Sequence, residues 1–154
     1  MLSKEERKQR NSDFWNSFRI EMRQEKSSTG RSMNWINYPS DVKDIYIRLE
    51  ADSKGARFCF EIQPKDEDIR SVLWEQMTEL KNVMEAEMGP ATAWNEFERL
   101  FNDRNVSRIY WEDDSVNFFK ESDQPKIIDF LRSNLIHFDK FYQEYKDILI
   151  ALAE

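Results

Sequence analysis

Between Val42 and Gly89 the spacing of apolar residues changes from every second position to every third or fourth. Ile45, Ile47 and Leu49 alternate with Asp44, Tyr46, Arg48 and Glu50, the period of a half-buried strand. Asp52-Ser53-Lys54-Gly55 is turn chemistry. Ala56, Phe58, Phe60 and Ile62 then alternate with Arg57, Cys59, Glu61 and Gln63 in a second strand. Setting Ala51 opposite Ala56 places Glu50 against Arg57, Arg48 against Cys59, Tyr46 against Glu61 and Asp44 against Gln63. Opposite charges then meet on one face, which supports this register. The other face is wholly apolar and needs a cover, because a one-residue slip would turn it into water.

Helical periodicity surrounds this hairpin. Ser3 and Glu6 have capping-box spacing, and Phe14, Trp15, Phe18 and Met22 predict a buried stripe on a first helix reaching about Lys26. The almost wholly polar residues 1–12 are expected to fray. Ser27-Ser28-Thr29-Gly30 is a break, and Trp35, Ile36 and Tyr38 are expected to cover an edge of the core. After Pro64, Asp66 to Met88 reads as one helix, with Ile69, Leu73, Met77, Leu80, Met84 and Met88 as its apolar stripe and Gly89-Pro90 as its stop. Thr92–Phe97 and Val106–Glu112 read as two further strands, joined through a turn at Asn102-Asp103-Arg104-Asn105. Val116 to Phe119 extends the last strand or forms a helical turn. Ser122-Asp123-Gln124-Pro125 opens a final helix to about Leu152, whose stripe runs through Ile127, Leu131, Leu135, Phe138, Tyr142, Tyr145, Leu149 and Leu152 and is widened by Phe130, Phe141 and Ile148. The expectation is a single α+β domain spanning residues 1–154. It has a four-stranded antiparallel sheet with N-terminal, central and long C-terminal helices on one face, in the order α-β-β-α-β-β-α.

Composition narrows the function classes. A chain of 154 residues with eleven Phe and five Trp can build one packed core. Its beginning lacks the apolar segment of a secretory signal, and no apolar run reaches the ~18 residues of a membrane span. The single cysteine excludes an internal disulfide and fits a reducing compartment, so the chain reads as a cytoplasmic domain of bacterial type. The net charge of −7 is unevenly placed: residues 1–38 carry eight Lys/Arg against five Asp/Glu, residues 39–154 fifteen against twenty-five. An acidic body disfavours nucleic-acid binding, leaving only the basic first helix (Arg7, Lys8, Arg10, Arg19, Arg23) as a phosphate contact.

Several short features share one order with a known family. They are Phe14-Trp15, Trp35, the Ile-x-Ile-x-Leu-Glu strand at Ile45–Glu50, Ala56-Arg57-Phe58 and Glu61-Ile62. They continue through Leu80-Lys81, Glu85-Ala86-Glu87-Met88-Gly89, Trp94 and Ser107-Arg108-Ile109, and close with Phe138, Tyr142 and Tyr145. From about Asp13 to Leu149 the chain resembles the bacterial and archaeal domain-of-unknown-function family 4268. The resemblance implies no settled activity. It implies a context of DNA processing or defence, because members also stand behind segments resembling restriction endonucleases.

Candidate chemistry is sparse. Asp44 with Glu61-Ile62-Gln63 loosely follows the Asp…Glu-x-Lys layout of a Mg²⁺ nuclease, but with Gln in the lysine position and on a hairpin. Ordinary polar strand faces carry such carboxylates too. Cys59 and His137 are the only thiol and imidazole, with nothing in the sequence to bring them together. Three scattered glycines cannot form a phosphate loop, and no Cys/His set suits zinc, so no cofactor is expected. The Met77, Met84, Met88 series fits core packing better than a binding groove. What remains is the polar sheet face, with Tyr46, Arg48, Arg57, Glu61, Arg108 and Tyr110 as a binding surface. The expected function is non-catalytic interaction with a protein partner or a second copy. The alternative is an accessory domain for nucleic-acid processing or restriction.

Overall fold

The computed structural model of the chain describes residues 2–99 and 104–154. The hairpin forms in the register read from the sequence. Strand β1 (Ile45–Asp52) pairs antiparallel with β2 (Gly55–Ile62), Ala51 opposite Ala56 and Tyr46 opposite Glu61. The turn leaves no room at Gly55: its φ is +149°, and a Cβ there would lie 2.4 Å from the Asp113 carbonyl oxygen. Strands β3 (Ala93–Arg99) and β4 (Asn105–Asp113) form the second hairpin, irregular between Asn95 and Glu98. β4 lies against β2, so the sheet order is β1-β2-β4-β3 and every pairing is antiparallel. Of the turn expected between β3 and β4, Asn102 and Asp103 lie outside the described residues.

Four helices stand among the described residues: α1 (Lys4–Met22), α2 (Glu67–Glu79), α3 (Lys81–Met88) and α4 (Gln124–Ala153). Two boundaries differ from expectation. α1 starts at Lys4, with Ser3 Oγ accepting from the Glu6 amide, so the polar first turns are helical; it stops at Met22, four residues early. The early stop frees Ser27 and Ser28 to reach Asp139 on α4. The helix expected over Asp66–Met88 is two, broken at Leu80 (φ −87°, ψ 0°). Leu73, Met77 and Met84 are fully buried on both sides of the break, so each half seats its own stripe. Ile69 is exposed instead of buried, and Arg70 turns inward to donate to the Pro64 carbonyl at 3.2 Å. The order is therefore α-β-β-α-α-β-β-α, an α+β fold.

Val116–Phe119 is neither strand nor helix. The Phe118 amide donates to the Asp52 carbonyl at 3.0 Å and its ring packs on Phe14 at 5.0 Å, tying the hairpin end to α1. Trp35 and Tyr38 are buried as expected.

Core packing centres on Phe138 of α4. Its ring lies 5.2 Å from Phe58, 5.8 Å from Phe60, 5.4 Å from Tyr38 and 5.0 Å from Tyr142. The apolar sheet face thus meets the helical layer through aromatic contacts, each burying a large surface. Further along α4, Leu149 is fully buried as the stripe requires and Tyr145 is half-buried, whereas Ile148 and Leu152 are exposed, so the C-terminal end of the expected stripe is only partly covered. No helix among the described residues is long and apolar enough to cross a membrane. Phe138→Ala should cost about 3–5 kcal/mol in urea unfolding, as expected for a large cavity in a packed core. A loss under about 1 kcal/mol would contradict the central position given to this ring.

Candidate functional site

Strand alternation sends Arg48, Glu50, Arg57, Cys59, Glu61, Arg108 and Glu112 to the face opposite the helices. Pairing β4 beside β2 is what assembles them, because Glu61 stands opposite Arg108, Cys59 opposite Tyr110 and Arg57 opposite Glu112. Arg57 donates Nε to Glu50 Oε1 at 2.7 Å and Nη1 to Glu112 Oε2 at 3.1 Å, and Nη2 pairs with Asp52. Arg108 donates Nη2 to the same Glu50 Oε1 at 2.9 Å and contacts Cys59 Sγ at 2.8 Å. Its Nε is 3.3 Å from Glu61 Oε2, and its Nη1 is 3.7 Å from Glu98 Oε2. Arg48 donates Nε to Glu61 Oε1 at 2.8 Å, an oxygen that also accepts from Gln63 Nε2 at 2.7 Å.

The face is a lattice of guanidinium and carboxylate groups, with Glu61 and Cys59 buried beneath it. The guanidinium planes of Arg48 and Arg108 also lie over the rings of Tyr46 and Tyr110, at 5.0 and 5.2 Å. Partial burial would raise the Glu50 carboxyl, but the Arg57 hydrogen bond and the Arg108 charge outweigh it and hold it below the usual range. Asp52 is lowered too, its slight burial outweighed by hydrogen bonds from the Lys54 amide and Arg57. Burial pushes the Cys59 thiol up to about 12, against the opposing pull of Arg108. At neutral pH this sulfur is a thiol.

These placements answer the sequence candidates. Glu50, Cys59 and Glu61 bring one ligand atom each within 4.8 Å of one another, the described group most like a metal site. Arginines fill it, however: Arg108 bonds Glu50 and Cys59, Arg57 bonds Glu50, and Arg48 bonds Glu61. A donor set so neutralised suits guanidinium better than a divalent ion. Asp44 is not in that group; it precedes β1 with a φ of +64°, and its carbonyl accepts from the Gln63 amide at 2.7 Å. Cys59 and His137 are on opposite sides of the sheet, with His137 Nδ1 2.8 Å from Glu87 Oε2 on α3. Met77 and Met84 are core. On α1, Arg7 lies over the Phe119 ring at 5.4 Å, Arg10 donates to the Phe119 carbonyl, and Arg19 donates to Asn16 at 3.0 Å.

Sequence reasoning missed a second polar cluster. Asp139, buried on α4, accepts from Ser27 Oγ at 2.9 Å, the Ser28 amide at 2.6 Å and the Tyr38 hydroxyl at 2.6 Å. Gln143 Nε2 donates to Tyr38 Oη at 2.8 Å, and burial together with the Asp139 bond pushes the Tyr38 phenol well above its ordinary value. Ser27, Ser28 and Tyr38 all donate to one carboxylate, so the cluster clamps the link after α1 onto α4. An aspartate set among Phe138, Phe141 and Tyr142 was its only sequence signal.

Two outcomes test the lattice. Native Cys59 should resist alkylation at pH 8 and react only once the chain is unfolded; rapid native labelling would contradict its burial. Glu50 and Asp52 bind protons less readily folded than unfolded, so their contribution is complete above the ordinary carboxylate range and is lost as pH falls through their folded values. Glu50→Gln should therefore be less stable at neutral pH and flatter across the acid limb of a pH–stability curve, whereas an unchanged acid slope would count against the pairing.

A family model described as Domain of unknown function (DUF4268) matches residues 10–146. No curated protein and no solved structure matches the chain.

Proposed function

The chain belongs to the DUF4268 family, and from that premise we propose that it is a non-catalytic protein-interaction domain working in the bacterial cytoplasm. The observation that carries this reading is the state of the open sheet face. Its carboxylates are bonded to its arginines and its thiol is held neutral, an arrangement that disfavours the roles of base, nucleophile or metal ligand. Such a face is rigid and patterned, with Tyr46 and half of the Arg48 side chain exposed at the β1 margin. Aromatic and arginine side chains on a fixed frame suit recognition.

Exposed apolar residues support the same reading. Val83 on α3 lines a shallow cavity of about 270 Å³ with Phe141 and Tyr145 of α4, and Ile148 and Leu152 follow on α4. The arginines of α1 that would meet phosphate are partly turned to the chain itself, since Arg7 and Arg10 both engage Phe119.

Sedimentation of the full chain, alone and with duplex DNA, tests the proposal. The expected result is free DNA at low salt and a protein mass that rises with concentration. DNA that co-sediments at low salt and is released between about 50 and 200 mM would overturn it in favour of nucleic-acid handling.

A further inference from the structure

β1 is an edge strand, and the hydrogen-bond pattern fixes which of its groups face outward. The Gln63 amide bonds the Asp44 carbonyl, and in an antiparallel ladder such bonded positions alternate. Tyr46, Arg48 and Glu50 therefore direct their amides and carbonyls to β2, while Ile45, Ile47, Leu49 and Ala51 direct theirs away. Ile45 is satisfied within the chain: its amide donates to the Val42 carbonyl at 3.2 Å and its carbonyl accepts from Ser40 Oγ at 2.7 Å. Ile47, Leu49 and Ala51 have no such partners among the described residues. Alongside them runs an open groove of about 420 Å³ flanked by Trp15, Ile36 and Asn37. An unpaired edge of this kind is a template for another strand.

The side chains say which strand fits. On the polar face, among the described residues, Arg48 hydrogen-bonds only through Nε, to Glu61, with its guanidinium over the Tyr46 ring, so both Nη groups keep N–H donors to give; Glu50 accepts twice at Oε1 and not at Oε2. A second β1 laid antiparallel about a two-fold axis through Leu49 puts Arg48 opposite Glu50 in both directions, supplying each unused donor with an unused acceptor. On the apolar face, Leu49 meets Leu49 and Ile47 meets Ala51. The backbone agrees, because Ile47, Leu49 and Ala51 become the hydrogen-bonded pairs and about six ladder bonds form. Neighbouring axes fail on charge: one through Arg48 joins two arginines, one through Glu50 joins two glutamates, and one through Ile47 sets Glu50 against Asp44.

We propose that the chain pairs with a second copy of itself through β1, centred on Leu49, joining two four-stranded sheets into one of eight. The partner is thus a like chain, in an isologous contact that closes after two copies. This rests on the interaction reading above and names its surface and partner.

Leu49→Cys tests the axis directly. Opposed residues of a bonded antiparallel pair have Cα atoms about 5.5 Å apart, inside the disulfide range, and the native Cys59 is buried. Under mild glutathione oxidation most of the Leu49→Cys chain should become a linked dimer, whereas Ile148→Cys, on the exposed end of α4, should not. Wild type should sediment as a dimer at concentrations where Arg48→Ala dissociates about three- to tenfold more readily, in keeping with two exposed ion pairs lost. If Leu49→Cys does not fold, the Arg48→Ala comparison carries the test. Linkage at 148 and not at 49 overturns the β1 contact while leaving the interaction reading intact. A wild type monomeric at every concentration also overturns it, and the DNA arm then decides the broader reading independently.

Discussion

The register of the first hairpin is the constraint on which the molecule depends. A two-residue connection, Ser53-Lys54, closes on Gly55 where no side chain fits, and so holds Ala51 opposite Ala56. With that register, Ile45, Ile47, Phe58, Phe60 and Ile62 share one face and Arg48, Glu50, Arg57 and Glu61 the other. A shift of one residue would place guanidinium groups under α4 and phenylalanine rings in water. Each large side chain buried on the right face is worth about 1.5–3 kcal/mol, so the wrong register is strongly disfavoured.

The two faces are then satisfied in different ways. On one, α4 covers the sheet with Phe138, and the Asp139 carboxylate beside it gathers donors from Ser27, Ser28 and Tyr38, so the segment after α1 is fastened to the same helix that covers the sheet. On the other, no helix is needed, because long side chains lie over one another and leave Glu61 and Cys59 out of solvent. Buried carboxylates and arginines are tolerable only as a hydrogen-bonded network, since any one left alone would pay its full desolvation. That requirement ties the side chains of this face to one another.

How far the sequence discloses this follows range by range. The hairpin was legible because alternation and turn chemistry act within about twenty residues. The break at Leu80 was not, because Met77 and Met84 keep helical spacing on either side of it and both are buried. Ile69 misled for a related reason: at that helix's first turn Arg70, bonded to the Pro64 carbonyl, takes the inward direction. The Asp139 clamp joins residues more than a hundred positions apart, as Ser27 and Tyr38 show, and although an aspartate among aromatic residues stands out, local pattern does not say which donors reach it. The sheet face was foreseen as a set of residues, Tyr46, Arg48, Arg57, Glu61, Arg108 and Tyr110. Its closure was not, since it needs β4 beside β2, and strand order does not follow from periodicity.

If α4 and the central strands form one structure held by Phe138 on Phe58 and Phe60, they must open together. Native-state hydrogen exchange measures this most directly. The amides of Phe58, Phe60 and Ile109 should exchange with the same opening free energy as those around Phe138, equal to that of global unfolding. Strand amides that exchange freely while α4 stays protected would contradict the account.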